Sequence, residues 1–314
     1  SGPSASHEQH EPDDASSDMA RVRAALAGRY SVRAVLGEGG MGTVYLGHDD
    51  TLQRDVAIKV IRADHLGGRA ARERFLQEAR VVAALRHPNI VSVFAAGEAE
   101  GILWFAMEYV DGESLRELIT RTGPVPVARA LEMVSDLAGA LEAAHRRDVV
   151  HRDVKPENIL VERETGRVLL ADFGVARALA QPSQHTGTGF IVGSPRYMSP
   201  EQIDGVGTLD GRSDLYSLAL VGYELVTGKP VVKAAHPAAM LVEQLTTAAP
   251  PLRDALLADG PTPDPDAGQA ALADAYADAI DGALAMEVHA RWPDPRSMPK
   301  VLQRAVDSRE FDSM

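Results

Sequence analysis

The hydrophobic pattern of this 314-residue chain changes at Asp111-Gly112, and that change limits the folds it can adopt. Residues 30–109 read as five short strands, with one helix predicted over Arg69–Leu85. After the change, apolar side chains recur every three or four residues, as in the predicted helices Val127–His145 and Ser213–Thr227. A strand-rich part followed by a helical part predicts an α+β fold.

The charged and sulfur-containing residues exclude several classes of function. The net charge is −13, so sequence-independent nucleic-acid binding, which needs a cationic surface, is not expected. The chain has no cysteine, which excludes disulfides, thiolate zinc sites, iron–sulfur clusters and cysteine nucleophiles. No apolar stretch approaches the roughly 18 residues of a membrane-spanning helix, so no membrane segment is expected in this chain.

The first 18 residues differ from the rest in composition. They contain five acidic residues, no lysine or arginine and no large apolar residue. Such a segment cannot bury enough surface to offset the entropy lost on ordering. We therefore predict a disordered tail over residues 1–18.

A glycine cluster, Gly37-Glu38-Gly39-Gly40-Met41-Gly42, joins the first two predicted strands. Glycines let a backbone approach a phosphate group closely, and their N–H groups can donate to it. A tight turn or a dinucleotide site would explain the same pattern. A dinucleotide site requires a helix to start at the glycines, whereas a strand follows here, so a hairpin tip is favoured.

Lys59 ends the apolar run Val56-Ala57-Ile58 on the third predicted strand. A buried ammonium group needs an anionic partner, and Glu78 on the following helix is the nearest candidate. An edge strand with Lys59 pointing into solvent and Glu78 solvated is an equally good interpretation of these residues alone.

The segment His151–Asn158 (HRDVKPEN) places several polar groups between apolar runs. Pro156 prevents a regular helix, so a loop presents the carboxylate of Asp153, the amine of Lys155 and the amide of Asn158 together. A charged surface turn is the alternative.

An acidic residue, Asp172, follows the apolar run Val168–Ala171 and precedes Phe173-Gly174. A carboxylate at a strand end near a phosphate-binding loop is a natural Mg²⁺ ligand. The tripeptide Asp172-Phe173-Gly174 often occurs by chance. It is informative only through its order and spacing relative to the other motifs.

These motifs, followed by Ser199-Pro200-Glu201, occur in the order found in one family. From Tyr30 to Met298 the chain resembles the catalytic domain of eukaryotic-type (Hanks-type) bacterial Ser/Thr protein kinases. The resemblance implies a bilobal protein-kinase fold. Its small N-lobe, with a five-stranded antiparallel sheet and one main helix, would cover residues 19–110; a larger helical C-lobe would cover 111–304, and a C-terminal tail 305–314.

The resemblance also implies roles for the polar residues. Asp153 would accept the proton of the substrate hydroxyl, and Lys155, typical of Ser/Thr kinases, would contact the γ-phosphate of ATP. Lys59, paired with Glu78, would hold the α- and β-phosphates. Asn158 and Asp172 would bind Mg²⁺. The remaining expected ATP contacts belong to the glycine loop, the sheet and the connection between lobes: Leu36, Gly37, Gly39, Gly42, Val44, Ala57, Met107, Glu108, Val110 and Leu160.

Two structural pairings are implied in the C-lobe. Asp214 would anchor a stack, formed by Val82, Val93, His151 and Phe173, that couples the lobes. Glu201 would pair with Arg291 rather than with Arg296.

Thr186 and Thr188 lie between Asp172 and Glu201, among glycines. The resemblance implies that they are activation-loop phosphosites, modified by a second kinase molecule in a transient kinase–kinase dimer. Arg152 and Arg177 would then receive the phosphate. The alternative is that both threonines are polar linker residues.

The sequence therefore predicts an ATP-dependent Ser/Thr protein kinase that acts on protein substrates. It would be cytoplasmic, either as such or as the cytoplasmic domain of a membrane-anchored protein. A pseudokinase scaffold is one alternative, disfavoured because Lys59, Asp153, Asn158 and Asp172 are all present. A small-molecule kinase of the same fold is another, disfavoured by the Ser-Pro-Glu segment and the preceding Ser/Thr-rich loop.

Overall fold

The chain forms two compact units, one of residues 1–66 with 93–109 and one of residues 67–92 with 110–314. A computed structural model describes most of both units. The described residues are 13–39, 42–61, 69–173, 195–205, 209–258, 267–292, 297–298, 300–302 and 304.

The first unit contains a five-stranded antiparallel sheet in the order β1-β2-β3-β5-β4. Short connections join the first three strands to one another and the last two to each other, which favours antiparallel pairing between these neighbours in sequence. The third strand pairs with the last one, across a long segment that contains a helix. The strands are β1 (Tyr30–Gly39), β2 (Gly42–Asp49), β3 (Arg54–Ile61), β4 (Val93–Ala99) and β5 (Ile102–Glu108). The predicted five-stranded sheet is thus confirmed.

Helix α1 (Asp13–Leu26) covers one face of this sheet. Val22 and Leu26 are buried in a core with Ile58 and Trp104 from the strands. Arg23 extends the attachment, since its Nε donates to the carbonyl oxygen of Val32 at 2.9 Å.

The prediction of a disordered tail over residues 1–18 is wrong for residues 13–18, which lie in α1. Helix α1 begins at Asp13, inside the acidic segment. The buried face that holds the helix begins only beyond the acidic segment, at Val22.

The second unit is mainly helical, with one small sheet in the order β6-β7-β8. Its elements are α2 (Arg69–Ala83), β6 (Gly112–Ser114), α3 (Leu115–Thr122), α4 (Val127–His145), β7 (Ile159–Glu162), β8 (Val168–Leu170), α5 (Pro200–Asp204), α6 (Gly211–Thr227), α7 (Pro237–Thr246), α8 (Leu252–Ala258) and α9 (Ala267–Ala283). The mixed α+β class is confirmed, and α4 has the predicted bounds.

Helix α6 is the centre of the second unit and is buried on all sides. Gly222 allows close packing there, because a Cβ atom would lie 2.6 Å from Ile280 Cδ1 and 2.9 Å from Tyr276 Oη. An N-cap at Asp210 starts the helix, and Gly228, with φ of 66°, ends it in the left-handed region. No helix in the described part of the chain is both long and apolar enough to cross a bilayer.

Helix α2 belongs to the second unit, whereas the predicted N-lobe of residues 19–110 includes it. The segment after the helix explains the difference, because it is bonded to β8. The N–H of Val91 donates to Leu170 O at 3.0 Å, the N–H of Leu170 donates to Asn89 O at 2.8 Å, and Asn89 Nδ2 donates to Val168 O at 2.8 Å. The fourth strand accordingly starts only after this bonded segment, at Val93.

Candidate active site

The second unit brings together Asp153, Lys155 and Asn158, the three polar residues singled out in the HRDVKPEN segment. Lys155 Nζ donates to Asp153 Oδ2 at 2.9 Å, and Asn158 Nδ2 donates to the same oxygen at 2.9 Å. Asn158 Nδ2 also donates to the Asp153 carbonyl oxygen at 2.8 Å. The side chains of Asp153 and Lys155 are 19% and 17% exposed, so substrates can reach both groups.

A buried carboxylate, Asp214 on α6, holds the backbone of this loop. Its Oδ2 accepts the N–H of His151 and its Oδ1 accepts the N–H of Arg152, both at 2.7 Å. His145, at the end of α4, contacts Asp214 Oδ2 through Nε2 at 2.8 Å. Asp214 thus holds His151, one member of the predicted stack, and His145 is a further partner of Asp214 that the sequence did not indicate.

The ring of His151 connects the loop to the segment around Asp172. The N–H of Asp153 donates to His151 Nδ1 at 3.2 Å, so Nδ1 is the acceptor and Nε2 carries the hydrogen. Nε2 then donates to the Ala171 carbonyl oxygen at 2.9 Å. The ring also packs on Phe173, with centroids 4.5 Å apart. The ring of His151 therefore fixes the loop and Ala171–Phe173 relative to each other.

Asn158 and Asp172, the predicted Mg²⁺ ligands, lie on segments that are bonded to one another. The N–H of Ala171 donates to the Asn158 carbonyl oxygen at 2.8 Å. Both bonds of the Asn158 amide nitrogen go to Asp153, which leaves its amide oxygen to ligate a cation. An amide oxygen and a carboxylate are hard ligands that suit Mg²⁺, which typically takes one or two protein ligands with substrate phosphates.

Two residues of the loop region have backbone angles that are rare for side-chain-bearing residues. Arg152 has φ of 66° and Asp172 has φ of 58°. Such left-handed conformations persist when surrounding bonds over-determine them, and they are common at active sites. The bonds to Asp214 and His151 provide that restraint here.

In the first unit, the sheet brings together most of the residues expected to contact ATP. Cross-strand partners lie on one face, and the register pairs Val44 with Lys59 and Ala57 with Met107. Positions 57 and 59 alternate with Ile58, so these four residues share the face opposite to α1. Lys59 is 8% exposed, which contradicts the alternative of an outward-pointing lysine on an edge strand.

The described glycines of the cluster lie at the paired ends of β1 and β2, where Gly39 is opposite Gly42, as expected for a hairpin. Gly37 and Gly39 lie on β1, and Gly42 opens β2 with φ of 149°. A Cβ atom at position 42 would collide with the Val60 carbonyl oxygen. Only glycine fits there.

The remaining predicted ATP contacts divide between the units. Leu36 is 45% exposed on β1, and Glu108 ends β5 in the first unit. Val110 follows the boundary between the units, and Leu160 lies on β7, opposite Ser114 of β6. Their contact with ATP stays a prediction.

Glu78 lies on α2 in the second unit, whereas Lys59 lies in the first. Partial burial raises the pKa of Glu78, and the positive charges of Arg152 and Arg74 oppose that rise. The Lys59–Glu78 pair stays a prediction. Thr186, Thr188 and Arg177 lie outside the described residues, and so does Arg296.

The predicted pairing of Glu201 with Arg291 is confirmed. Arg291 Nη1 and Nη2 donate to the two carboxylate oxygens at 2.7 and 2.8 Å, and Ser213 Oγ donates to Oε1 at 2.6 Å. Burial alone would raise the pKa of Glu201, but the bonds from Arg291 and Ser213 hold it below its usual value.

One cluster was missed by sequence reasoning. Arg116 on α3 bonds to Glu157, next to Asn158, and to Glu224 on α6. The partners in the second pair are 108 residues apart, so no local pattern could have revealed it.

The chain belongs to the protein kinase domain family, which it matches over residues 30–294. The resemblance to Hanks-type bacterial Ser/Thr kinases is confirmed by its relatives. The chain is 45% identical over 209 residues to serine/threonine-protein kinase PknB of Mycobacterium leprae, covering 65% of this chain and 33% of that protein. It is 42% identical over 204 residues to serine/threonine-protein kinase PrkC of Bacillus subtilis, covering 65% and 31%.

The chain thus spans about a third of the length of these curated relatives. The fold is also similar to a solved structure, the kinase domain of Mycobacterium tuberculosis PknI. The TM-score is 0.65 at 31% identity, over 88% of this chain and 96% of that chain.

Proposed function

We propose that this chain is an ATP-dependent protein kinase that transfers the γ-phosphoryl group of Mg-ATP to Ser and Thr hydroxyls of proteins. The observation that carries the proposal is the hydrogen-bonded cluster of Asp153, Lys155 and Asn158 in a chain of the protein kinase family. The two relatives described above are named as serine/threonine-protein kinases. Availability of ATP and protein substrates favours a cytoplasmic location.

The geometry of Asp153 supports a role as base. Lys155 and Asn158 both donate to Oδ2, so Oδ1 is the oxygen that faces the incoming hydroxyl proton. The hydroxyl oxygen forms a bond to the γ-phosphorus, the bond from that phosphorus to the β,γ-bridging oxygen breaks, and ADP leaves. Asp153 orients the hydroxyl and takes its proton.

Cations of the chain would stabilise the phosphate charge. Lys155 lies beside Asp153, where it can contact the γ-phosphate, and Lys59 lies on the sheet face with Ala57 and Met107. Mg²⁺, held by Asn158 and Asp172, would neutralise phosphate charge when bound. Such catalysis depends on positioning and electrostatics rather than on covalent intermediates.

The test is Asp153→Asn, assayed for phosphate transfer and, separately, for ATP affinity. Loss of the base should lower turnover by about 10²–10⁴-fold while leaving ATP affinity nearly unchanged. Asp148→Asn is the matched control, because Asp148 is an exposed carboxylate five residues earlier and should keep full activity. Asp153→Asn activity within tenfold of the parent would contradict the assignment.

Regulation by the activation loop belongs to the same proposal. We expect Thr186 or Thr188 to be phosphorylated by a second molecule of the kinase. Mass spectrometry after incubation with Mg-ATP should map phosphate to these threonines, with phosphoserine and phosphothreonine as the only products. A Thr186→Ala, Thr188→Ala double variant that matches the parent rate on an external substrate, with no phosphate on this loop, would refute the regulatory part.

A further inference from the structure

A pocket of about 610 Å³ lies in the second unit beside the catalytic loop. Charged and polar side chains from four segments of the chain line it. They include Arg116 and Thr120 of α3, Glu157 of the catalytic loop, Arg196 and Tyr197 before the Ser-Pro-Glu segment, and Glu224 of α6.

Arg116 occupies the acidic part of this pocket. Its Nε donates to Glu157 Oε1 at 2.9 Å and its Nη1 donates to Glu224 Oε1 at 2.7 Å. Its Nη2 donates to the Tyr197 hydroxyl, which in turn donates to Glu224 Oε2. One guanidinium group thus satisfies both carboxylates of the pocket.

The two carboxylates differ in access. The side chain of Glu224 is only 3% exposed, whereas that of Glu157 is 44% exposed and that of Arg116 is 31% exposed. Burial lowers the pKa of Arg116, but the bonds to Glu224 and Glu157 outweigh that effect and raise the pKa above its ordinary value. Arg116 is therefore cationic at every working pH.

Arg196, the second arginine of the pocket, has no bond to a carboxylate among the described residues. Arg196 donates to the backbone carbonyl oxygens of Val232 and Ala234. Its positive charge is added to a pocket whose own carboxylates are already paired. A lysine or arginine side chain entering the pocket would meet two guanidinium groups and no unpaired carboxylate.

We infer that this pocket receives a side chain of the protein substrate, and that Arg116 makes it reject lysine and arginine. The inference rests on the proposed kinase function and adds a charge preference to it. Uncharged or acidic side chains are the expected occupants.

The position of the pocket supports a peptide ligand. Glu157 lies next to Asn158, whose amide contacts Asp153, the proposed base. Gln202 follows the pocket residues Arg196 and Tyr197 in the chain. It bonds to the catalytic loop, since its Nε2 donates to the Arg152 carbonyl oxygen at 3.0 Å. An extended peptide advances about 3.3 Å per residue, so a peptide with its hydroxyl at Asp153 reaches the pocket within a few residues.

Removing Arg116 should reverse the preference. Glu157, Glu224 and the Tyr197 hydroxyl would then form an acceptor set of the kind that binds a guanidinium fork. A substrate arginine could take the place that the chain's own arginine now fills.

The test compares Arg116→Gln with the parent on peptides that share one Ser or Thr and carry Arg, Lys, Gln or Glu at each flanking position in turn. At one position, the parent should use the Arg and Lys peptides less well than the Gln peptide. Arg116→Gln should raise kcat/KM for the Arg peptide there by at least about tenfold, the scale of one hydrogen-bonded charge pair. The change should come through KM, with kcat little altered.

Arg121→Gln is the matched control, because Arg121 lies on the same helix, pairs with Glu113 and does not line the pocket. It should leave the ranking of the peptides unchanged. Arg116→Lys keeps the positive charge and should keep the rejection of basic side chains.

Because Arg116→Gln leaves the buried Glu224 carboxylate without its guanidinium, circular dichroism should confirm folding. If that variant does not fold, Arg116→Gln with Glu224→Gln removes both charges of this pair, including the buried carboxylate. It leaves Glu157 as the acceptor, so a smaller gain for the Arg peptide is expected.

Peptide binding measured by fluorescence anisotropy without ATP separates this inference from the kinase function. A parent chain that binds peptides but transfers no phosphate would refute the proposed function, and the binding comparison would still decide the role of Arg116. A ranking unchanged within twofold in Arg116→Gln, or a parent that prefers Arg at the responsive position, would overturn the inference.

Discussion

The two units hold their predicted functional residues by different means. In the first unit, Lys59 and Ala57 lie on a central strand, where a continuous backbone ladder fixes their direction. In the second unit, Asp153 lies in a loop and Asn158 lies in the short 3-10 helix that follows it, Pro156–Asn158, without such a ladder. A few buried polar side chains, chiefly Asp214 and His151, bond to the loop backbone instead.

This difference implies different sensitivity to substitution. A sheet spreads its restraints over many backbone bonds and many apolar contacts, so the loss of one side chain changes packing but not register. The loop concentrates its restraints in a few side chains whose removal leaves buried donors unsatisfied. Polar substitutions behind the loop should therefore cost more than apolar truncations behind the sheet.

Two tryptophans allow each unit to be observed separately. Trp104 lies in the first unit, with its ring 5.5 Å from that of Tyr30 in an edge-to-face arrangement. Trp292 lies in the second unit, where its Nε1 donates to Ala279 O at 3.1 Å. The chain has no other tryptophan, so Trp104→Phe and Trp292→Phe backgrounds each report on one unit.

The largest expected effect is that of Asp214→Asn. Asp214 is 1% exposed and accepts two backbone N–H groups, and an amide NH₂ group would oppose one of them. We expect a loss of about 3–5 kcal/mol in the free energy of unfolding, together with loss of catalysis. Denaturant unfolding followed by Trp292 fluorescence measures it.

Asp210→Asn is its control, because Asp210 is an exposed N-cap on the same helix and asparagine caps almost as well. If both variants lost the same free energy of unfolding, burial of the carboxylate behind the loop would not be the cause of the loss.

Leu26→Ala should have a smaller effect, read at Trp104. Leu26 is 3% exposed in the core between α1 and the sheet. Its truncation should lower the free energy of unfolding by about 2–3 kcal/mol, in the lower part of the range for buried leucines, because the end of α1 can shift to fill the space. Arg21→Ala, at an exposed position of the same helix, should change it by less than about 0.5 kcal/mol. If Leu26→Ala lowered the free energy of unfolding by more than Asp214→Asn does, the proposed difference between the two units would be wrong.

The Glu201–Arg291 pair should make the second unit sensitive to acid. The pKa of Glu201 is lower in the folded chain than its ordinary value of 4.5, so the folded state binds fewer protons than the unfolded state there. Its stabilisation is complete above that ordinary value and is lost as the pH falls through the lowered folded pKa. Unfolding midpoints measured from pH 7 to about pH 3 should decline less steeply in Glu201→Gln than in the parent. Parallel pH profiles would refute this assignment.

The smallest effect is expected at the start of α3. Ser114 Oγ accepts the N–H of Glu117 at 3.2 Å, and Glu117 Oε2 accepts the N–H of Ser114 at 2.7 Å. Ser114→Ala should therefore cost about 1 kcal/mol, whereas Ser114→Asn, which keeps an N-cap acceptor, should cost much less. Thermal unfolding measures both, and an equal shift in the two variants would argue against capping as the cause.

Sequence patterns predicted the features of this fold that depend on residues close together in the chain. The five strands, α4, the β1–β2 hairpin and the loop around Asp153 depend on nearby residues, and sequence reasoning found them. Helix α1 was missed over residues 13–18 because composition averaged over an acidic segment does not register Val22 and Leu26 beyond it.

Other features depend on contacts between residues far apart in sequence. Arg116 meets Glu224 across 108 residues, and Asn89 meets Val168 across 79. No periodicity or motif contains such pairings, because they arise only when separate elements pack.

The bonds between Asn89–Val91 and β8 also set an order of events during protein synthesis. Residues 67–92 leave the ribosome before their partners exist, and Asn89 must wait for 79 further residues until Val168 is made. At roughly 5–20 residues per second, that delay lasts roughly 4–16 s. During it, Ile90 and Val91, which are buried in the finished fold, have no β8 to pair with. A chaperone would bind this stretch of the nascent chain during that interval.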